Sequence, residues 1–382
     1  MRRFFQELLD FFRKGDMVLL ALCLITTAYG CVVIASTTAQ MGMIRYILVQ
    51  MVAAAMGVFL YAVISSIDLD FFFEHRTAMV VFNSILILML IPFGITVNGN
   101  KSWLDFPFLP VDIQPAEICK ITYVLIMASV MAAHQNRLSN FFSVFHMGFH
   151  LIALVGLNML VSSDLGVSLI FVFIFIGMAF AGGVSLFWFG LAGGFIAVGG
   201  PILWNFLGQY QKNRILLLFD PTIDPLAIDE RYHTNQSLLS FTAGGLTGQG
   251  LFNGTRTSVG ALYAQETDFI FSAIGEELGL LGCLAVVALE VAIIARCIYV
   301  GVRSPDFGRR LVCFGAASAL IFQVTINVGM CIGTAPVIGI TLPFISYGGS
   351  SILSLYALLG LVSGVYARPT PGKQGLYVQP PR

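Results

Sequence analysis

Charged residues are scarce in this sequence. Of 382 residues, 10% are charged and 57% are hydrophobic, whereas a soluble globular domain carries about 25% charged residues. The 20 basic and 20 acidic residues cancel, which leaves no basic footprint for nucleic acid. Several apolar runs approach or exceed the ~18 residues that a membrane-spanning helix needs. The sequence therefore excludes a soluble domain and predicts an all-α polytopic membrane protein without a nucleic-acid partner.

Several motifs of soluble enzymes are also missing. The seven cysteines show no CxxC spacing and fall mostly within apolar runs, so we interpret them as small buried hydrophobic residues. No P-loop occurs, and the glycine-rich run FTAGGLTGQGLFNG at 241–254 fails as a dinucleotide fingerprint because Asn253 stands where the third glycine belongs. The sequence shows no means of spending ATP, so energy must come from the substrate or from a gradient.

The hydropathy pattern predicts ten transmembrane helices in one integral-membrane domain, 1–382. Residues 1–16 precede them as an amphipathic helix on the membrane surface, with an apolar stripe flanked by basic residues. A large extracytoplasmic loop, 208–267, separates helices seven and eight, and 368–382 form a cytoplasmic tail. The predicted spans are 17–36, 46–66, 77–97, 115–134, 147–163, 165–183, 185–207, 268–302, 309–333 and 341–367.

Basic residues set the predicted sidedness. An even number of spans puts both termini on one side of the membrane, and Lys and Arg accumulate in cytoplasmic segments. With the termini in the cytoplasm, thirteen basic residues face inside. Only Arg45, Lys101 and Lys120 face outside once the long loop is set apart. This bias predicts that both termini are cytoplasmic.

An unusual group of carboxylates stands where the outer loop meets helix eight. A continuous helix from Asp268 to Val302 would reach about 52 Å, well beyond the hydrocarbon thickness. With Arg296 as the inner anchor, Glu276 and Glu277 lie at the outer interface and Asp268 stands about 12 Å above them. We therefore expect the Asp268 carboxylate to meet water and a polar substrate while the bilayer fixes its helix.

Four ionisable residues within or between the spans need a reason, because such residues are costly in a bilayer. Glu117 and Lys120 are i, i+3 neighbours, and both a local ion pair and an ammonium that holds phosphate are open. Asp164, in the tight connection VSSDLG, can cap a helix or line a cavity. Glu290 lies about 9 Å from the level of Arg296, so we interpret it as snorkelling or pairing near the inner face.

The late segment GTAPVIGITLPFISYGGSS, 333–351, is rich in helix-breaking residues. Its prolines and glycines suit a broken or re-entrant helix that lines a cavity, where freed backbone groups can contact polar ligands. Close helix packing by small residues is the alternative. Both interpretations stay open from the sequence.

Ten motifs that follow one another along nearly the whole chain resemble those of one family, the SEDS proteins (shape, elongation, division and sporulation). The GGL and FNGT sequences favour the elongation type of this family. Gln249 and Glu266 stand where elongation-type members often carry a lysine and a histidine. The motifs are WLD (103–105), QPAEICK (114–120), DLG (164–166), Arg214 with Asp220-Pro221, HTNQS (233–237), GGLTGQG (244–250), TDFIF (267–271), GEELG (275–279), NVGM (327–330) and LPFISYGGSS (342–351).

The resemblance implies a ten-helix peptidoglycan glycosyltransferase that polymerises lipid II on the outer face of the bacterial cytoplasmic membrane. Asp268 matches the family's essential aspartate and is the expected catalytic residue. A class B penicillin-binding protein, which is a transpeptidase, is implied as the partner that binds and activates the enzyme. The candidate substrate-binding residues are Lys120, Glu117, Arg214, Asp164, Glu276, Glu277, Gln236 and Ser350.

The chemistry of this substrate requires only one general base. Hydrolysis of an ordinary glycoside uses two carboxylates because the leaving alkoxide must be protonated. A sugar on a lipid pyrophosphate leaves as a stable anion, so Lys120, Arg214 or a divalent cation (Mg²⁺ or Mn²⁺) can replace the general acid. We expect Asp268 to take the proton from the acceptor's 4-hydroxyl as that oxygen attacks the donor's anomeric carbon with inversion.

A transporter is the alternative function. Intramembrane Lys120 with Glu117, broken helices and an outer vestibule also suit a lipid II flippase or a proton-coupled permease. A scaffold that only recruits a transpeptidase would explain the large loop but not Asp268 and Lys120. The sequence favours the glycosyltransferase because its most distinctive carboxylate is predicted outside the membrane.

Overall fold

A computed structural model describes residues 14–40, 42–97, 100–105, 112–206, 208, 212–213, 216–217, 230–262 and 264–370. Within them the chain is mostly helical, and one short antiparallel hairpin pairs β1 (Gly94–Val97) with β2 (Asn100–Leu104). The predicted surface helix falls mostly, and the predicted tail largely, outside the described residues. The helices are α1 (Met17–Thr37), α2 (Met43–Ser66), α3 (Leu69–Glu74), α4 (Arg76–Leu88), α5 (Leu90–Phe93), α6 (Pro115–Ala133), α7 (Phe141–Ser162), α8 (Leu165–Gly182), α9 (Leu186–Phe206), α10 (Glu230–Gly244), α11 (Thr255–Ser258), α12 (Ile270–Glu277), α13 (Gly279–Arg303), α14 (Phe307–Cys331) and α15 (Gly349–Ala367).

Nine helical spans in the described part of the chain are long and apolar enough to cross a membrane. They are α1, α2, α4 with α5, α6, α7, α8, α13, α14 and α15. The predicted seventh span corresponds to α9, whose qualifying apolar run is the shorter Leu186–Ile202 and which contains Pro201. The all-α polytopic class is confirmed. The count of ten spans and the extent of the loop 208–267 stay predictions, because much of that loop lies outside the described residues.

The prediction of one continuous helix over 268–302 is wrong. The chain forms α12 and α13, which are separated at Leu278, and Gly279 has φ +68°. Asp268 lies in the turn before α12 rather than on a helix. The break has a long-range cause: the N–H groups of Gln249 and Gly250 donate to the carbonyls of Glu276 and Glu277 (3.0 and 2.9 Å). The GGLTGQG loop thus occupies carbonyls that a continuous helix would have used.

The last predicted span begins eight residues too early. Helix α15 starts at Gly349, and the chain from 332 to 348 forms turns and extended backbone. Pro343 lacks the N–H that a helix needs, and its neighbours form local turn hydrogen bonds as well as bonds to other parts of the molecule. Between the two interpretations left open for this segment, the structure supports the interrupted helix.

Small residues allow the helices of the bundle to pack closely. Helices α2 and α15 form the most extensive helix pair in the described residues. A Cβ on Gly360 would lie 2.9 Å from the Tyr61 carbonyl oxygen, and a Cβ on Gly57 would lie 2.6 Å from the Tyr356 ring. Larger residues at these two glycines would force the helices apart, which is the usual reason for small residues between membrane helices.

Ion pairs hold the inner end of the bundle together. The Arg296 guanidinium binds both carboxylate oxygens of Asp16, with the shortest contact at 2.8 Å, and Asp16 also caps α1. Arg309 is fully buried and pairs with Asp68 and Asp70 at 2.8 and 2.9 Å. These contacts join α1 to α13 and the α3 turn to α14, at the end of the bundle that the basic residues predict to be cytoplasmic.

Glu290 neither snorkels nor pairs, so that interpretation is wrong. Its side chain is fully buried on the inward stripe of α13 with Val286 and Ile293, and neither carboxylate oxygen has a hydrogen-bond partner in the described part of the chain. Arg296, the cation nearest along the helix, is bound to Asp16. The position of Glu290 along α13 suggested an interfacial residue. Its position around the helix axis instead directs the side chain into the bundle.

The left-handed backbone at Gly279 generates a testable prediction. A Cβ there would meet the Leu246 carbonyl oxygen at 2.5 Å, and the left-handed conformation costs a non-glycine residue about 1–2 kcal/mol. Gly279→Ala should therefore lower the melting temperature of the detergent-purified protein. Gly193→Ala is the matched control, because Gly193 lies inside α9 with nothing within 4 Å of an added Cβ. Equal melting temperatures for Gly279→Ala and wild type would contradict the assignment.

Candidate functional site

Asp268 lies in a tight turn between the outer loop and α12. The Phe269 N–H donates to the Ala264 carbonyl (3.1 Å) and closes the turn. The Asp268 carbonyl accepts a hydrogen bond from Asn327 Nδ2 (2.9 Å), and the same nitrogen donates to the Ile340 carbonyl (2.7 Å). The Asp268 side chain is half-buried. One carboxamide therefore fixes the backbone of Asp268 against the irregular segment 332–348.

The irregular segment supports the turn from the other side. The Ser346 hydroxyl donates to the Thr267 carbonyl (2.7 Å), and the Tyr347 N–H donates to the Glu266 carbonyl (2.8 Å). Gly339, with φ +69°, faces the carboxylate: a Cβ at this position would lie 3.6 Å from Asp268 Oδ2. The TDFIF, NVGM and LPFISYGGSS motifs thus meet at Asp268. Asn327 was absent from the predicted site residues, although its motif was the signal that could have found it.

Asp164 caps a helix, as one of its two predicted roles requires, while its predicted place in a cavity wall stays a prediction. One carboxylate oxygen caps α8 by accepting from the Val167 N–H (3.1 Å), and the other accepts from Ser102 and Gln114, both at 3.3 Å. The side chain is 9% exposed, and burial raises the pKa of the Asp164 carboxyl. The cap positions α8, while the second oxygen ties the hairpin and the start of α6 to the same place.

The segment 338–340 connects the surroundings of Asp164 and Asp268. A Cβ on Gly166 would lie 2.7 Å from the Ile338 carbonyl oxygen. Gly339, the next residue along, faces Asp268. The backbone of segment 338–340 passes so close to Gly166 that a side chain there would not fit. The same segment places Gly339 next to Asp268. The two aspartates border opposite sides of this short segment.

Glu117 and Lys120 form the predicted local ion pair at the start of α6. The Lys120 Nζ to Glu117 Oε2 distance is 2.8 Å, and the two residues are only 2% and 4% exposed. Ser354 of α15 donates its hydroxyl to the same Glu117 oxygen. The Lys120 ammonium has no further hydrogen-bond partner of good geometry in the described residues. The pair confirms the local explanation and leaves ammonium donors unused, so a phosphate-binding role stays a prediction.

Ser350 lies one helical turn before Ser354 on α15. Its hydroxyl is buried and has no hydrogen-bond partner among the described residues. Residues four apart lie on one face of a helix, so Ser350 continues the polar line that begins at Glu117. This placement is compatible with the predicted substrate contact, which nothing in the geometry tests further.

Glu276 and Glu277 hold the outer loop in place. Glu276 is fully buried and accepts hydrogen bonds from the N–H groups of Arg256 and Thr257 (2.7 and 3.0 Å) and from two threonine hydroxyls. Glu277 accepts from the Ser36 hydroxyl (2.7 Å), and burial raises the pKa of the Glu277 carboxyl. These contacts give both glutamates a structural role, and their substrate-binding role stays a prediction.

The two remaining predicted site residues belong to the outer loop. Gln236, on α10, accepts a hydrogen bond from the Arg256 guanidinium, which links α10 to α11. The substrate-binding role of Gln236 stays a prediction. Arg214 lies outside the described residues, so its predicted contact with phosphate stays a prediction.

The described residues do not fit a resident metal ion. They contain no group of three or more His, Cys, Asp or Glu side chains that could hold one. Asp164 and Glu117 already accept hydrogen bonds, and Asp268 is a single carboxylate. Mg²⁺ is often bound through one or two carboxylates together with substrate phosphates. The divalent cation stays a prediction.

Comparison with known proteins agrees with the motif order. Residues 16–369 match the family model named for FtsW, RodA and SpoVE and described as cell cycle protein. The peptidoglycan glycosyltransferase MrdB of Escherichia coli K12 is 33% identical over 355 residues, which cover 92% of this chain and 93% of that protein. The probable peptidoglycan glycosyltransferase FtsW of Methylomonas methanica is 30% identical over 368 residues, 93% of each chain.

Solved structures share the fold. A chain from a peptidoglycan synthase complex that coordinates polymerization and crosslinking has a TM-score of 0.78 and 28% identity, covering 92% of this chain and 97% of that one. The rod shape determining protein RodA of Thermus thermophilus has a TM-score of 0.68 and 25% identity, covering 92% and 96%. These similarities also support the elongation-type resemblance. The chain therefore belongs to the SEDS family of cell cycle proteins.

Proposed function

We propose that this chain is a peptidoglycan glycosyltransferase that polymerises lipid II at the outer face of the bacterial cytoplasmic membrane. Its relatives carry that enzyme name over more than nine-tenths of the chain. The observation that carries the proposal is the half-buried carboxylate of Asp268, on a backbone fixed by Asn327 and facing a glycine. A general base needs a fixed position and some exposure to its substrate.

Asp268 acts as the base in the proposed reaction. It accepts the proton of the acceptor sugar's 4-hydroxyl while that oxygen attacks the anomeric carbon of the lipid-linked donor. The bond from the anomeric carbon to the pyrophosphate oxygen breaks, and the configuration at that carbon inverts. The pyrophosphate leaves as an anion, so the step requires charge neutralisation instead of a second carboxyl acid.

Lys120 supplies positive charge for that leaving group. Its ammonium already binds one oxygen of Glu117 and has unused donors. Glu117 also holds the Ser354 hydroxyl, so the carboxylate keeps a hydrogen-bond partner when Lys120 turns towards a phosphate. Arg214, from the outer loop, is proposed as a second cation on the same pyrophosphate.

Transport of lipid II is the second candidate function. The buried Glu117–Lys120 pair and the interrupted helix before Gly349 favour it, since transporters place such features at their binding sites. Asp268 argues against it. The carboxylate belongs to a turn outside the nine apolar spans, where a transporter has no need of a base.

The protein is a multi-pass membrane protein, and both termini are proposed to be cytoplasmic. In this orientation the ion pairs of Arg296 and Arg309 lie at the inner end, and Asp268 and Asp164 lie at the outer end. A class B penicillin-binding protein is the proposed partner. The similar chain of known structure belongs to a complex that coordinates polymerization with crosslinking, and a transpeptidase supplies the crosslinking reaction.

Replacing the proposed base gives the first test of activity. Asp268→Asn should reduce glycan polymerisation by about 10²–10⁴, the usual contribution of a well-placed base. The enzyme would be purified in detergent with its transpeptidase partner, and polymer made from lipid II would be measured on gels. Detergent removes sidedness, so a flippase would make no polymer in this assay. Glu74→Gln, an exposed carboxylate on α3, is the matched control, and full activity of Asp268→Asn would refute the proposal.

The Glu117–Lys120 pair allows structural and functional roles to be separated. Lys120→Met leaves the buried Glu117 carboxylate unpaired, which should cost about 3–5 kcal/mol of stability. The double variant Glu117→Gln/Lys120→Met removes both charges and should recover the melting temperature, but not the polymerisation rate.

The inner pair provides the control for this experiment. Asp16→Asn/Arg296→Met removes a structural ion pair far from Asp268, and its activity should follow its stability. If the Glu117/Lys120 double variant also regained full polymerisation, Lys120 would be structural and the proposed phosphate contact would be wrong.

A divalent cation is proposed to enter with the lipid pyrophosphate. Removal of free Mg²⁺ and Mn²⁺ with EDTA should abolish polymerisation, and either ion should restore it. Because the described residues hold no three-ligand group, neither ion should raise the melting temperature without lipid II. A rise in melting temperature with the cation alone would show a resident site and contradict this prediction.

A further inference from the structure

Two tyrosines form an aromatic surface next to the Asp268 turn. The rings of Tyr46, at the outer end of α2, and Tyr347, before α15, lie 4.9 Å apart between centroids at 57°. Both side chains are partly exposed. None of the steps proposed for Asp268 and Lys120 uses this pair, which is called the tyrosine pair below.

The backbone of Tyr347 is held unusually firmly. Gln50, one helical turn after Tyr46 on α2, donates its side-chain amide to the Ser346 carbonyl (3.2 Å) and accepts from the Gly348 N–H (3.3 Å). The N–H of Tyr347 itself donates to the Glu266 carbonyl (2.8 Å). Fully buried Gln50 thus binds both neighbours of Tyr347. The backbone that carries the ring is therefore tied to the turn that holds Asp268, two residues beyond Glu266.

Charged groups surround the tyrosine pair. Burial raises the pKa of the Tyr347 hydroxyl, and Tyr46, Asp112 and Glu266 act in the same direction while Arg45 opposes them. Arg45 and Asp112 are exposed, and Glu266 is half-exposed. Charges of both signs therefore act on the Tyr347 hydroxyl.

A series of contacts connects the Asp268 turn with the surroundings of Tyr347. From Asp268, contacts lead through Gly339 and Ile338 to Gly166 and Asp164. From Asp164 they continue to Gln114, two residues after Asp112. The charge of Asp112 acts on the Tyr347 hydroxyl, and the Tyr347 N–H donates to the Glu266 carbonyl, two residues before Asp268. Asp164, Asp268 and Tyr347 therefore belong to one neighbourhood at the outer end of the bundle.

We propose that the tyrosine pair is a carbohydrate-binding subsite that holds a pyranose ring of the acceptor beside Asp268. This inference rests on the proposed glycosyltransferase function and adds the position of one sugar. An aromatic face carries partial negative charge, which suits the axial C–H groups of a pyranose. Arg45, Asp112 and Glu266 stand where they can bind the hydroxyl and acetamido groups at the ring's edge. The subsite would thereby direct one hydroxyl of the sugar towards Asp268.

Anchoring at the membrane interface is the competing explanation, since tyrosines are enriched there. An anchor needs its ring at the level of the lipid headgroups and gains nothing from a fixed backbone. Tyr347 instead has its backbone fixed from three directions and has two carboxylates near its hydroxyl. These features are costly for an anchor and useful for a subsite that must orient a ligand.

Kinetics of lipid II polymerisation test the subsite. Tyr347→Leu and Tyr46→Leu should each raise KM for lipid II about tenfold, equivalent to about 1.4 kcal/mol, with kcat within about a factor of three of wild type. Tyr347→Phe keeps the aromatic face and should stay near wild type. Tyr299→Leu, a partly exposed tyrosine at the inner end, is the control. Unchanged KM in both leucine variants, or an equal loss in Tyr347→Phe, would overturn the proposal.

Direct binding separates this inference from the proposed function. Chitotetraose, a soluble chain of N-acetylated β-1,4-linked pyranoses, would be added to the full-length protein in nanodiscs and followed by saturation-transfer NMR. Transfer should persist in Asp268→Asn, which does not polymerise, and should disappear in Tyr347→Leu and Tyr46→Leu at unchanged melting temperatures. Transfer that survives both leucine variants would refute the subsite while leaving the base untouched. Full polymerisation by Asp268→Asn would refute the base alone.

Discussion

The carboxamide of Asn327 is the contact on which the candidate site depends. Its amide nitrogen donates to the carbonyls of Asp268 and Ile340, which belong to segments far apart in sequence. The side chain is fully buried, and its own oxygen has no partner in the described residues. A buried carbonyl without a hydrogen bond costs about 1–3 kcal/mol, so one side chain satisfies two such groups and fixes the distance between them. The position of the Asp268 carboxylate opposite Gly339 follows from this arrangement.

Interrupting a helix near the membrane frees backbone groups that lipid cannot satisfy. The segment 332–348 satisfies them with neutral side chains. Ser346 accepts from the Leu342 N–H and donates to the Thr267 carbonyl, and Gln50 binds the backbone on both sides of Tyr347. Ser346 and Gly348 of the LPFISYGGSS motif therefore satisfy the backbone that precedes α15 and join it to the Asp268 turn. These contacts replace part of the hydrogen bonding that a helix would have supplied.

Much of the fold and of the candidate site was predictable from the sequence, and the wrong predictions share one cause. Hydropathy located the membrane helices because hydrocarbon thickness fixes their length, and Asp268 was identified because the TDFIF motif resembles that of the SEDS family. The break at Gly279 was missed because it depends on hydrogen bonds from Gln249 and Gly250, about thirty residues away. The capping of α11 by Glu276 and the burial of Glu290 were missed for the same reason. Each depends on tertiary contacts, about which the periodicity of a single helix carries no information.

Ion pairs stabilise the inner end of the bundle, whereas neutral hydrogen bonds fix the backbone around Asp268 at the outer end. This difference suits a charged substrate. At the inner end, Arg296 and Arg309 form ion pairs with Asp16, Asp68 and Asp70. At the outer end, Asn327, Ser346 and Gln50 fix the backbone through neutral hydrogen bonds. Structural ion pairs around Asp268 would compete with a pyrophosphate for every nearby cation. Neutral carboxamides and hydroxyls hold the backbone geometry without such competition. Lys120 is already paired with Glu117, but that carboxylate also binds Ser354. The ammonium can therefore change partner without leaving a buried carboxylate wholly unsatisfied.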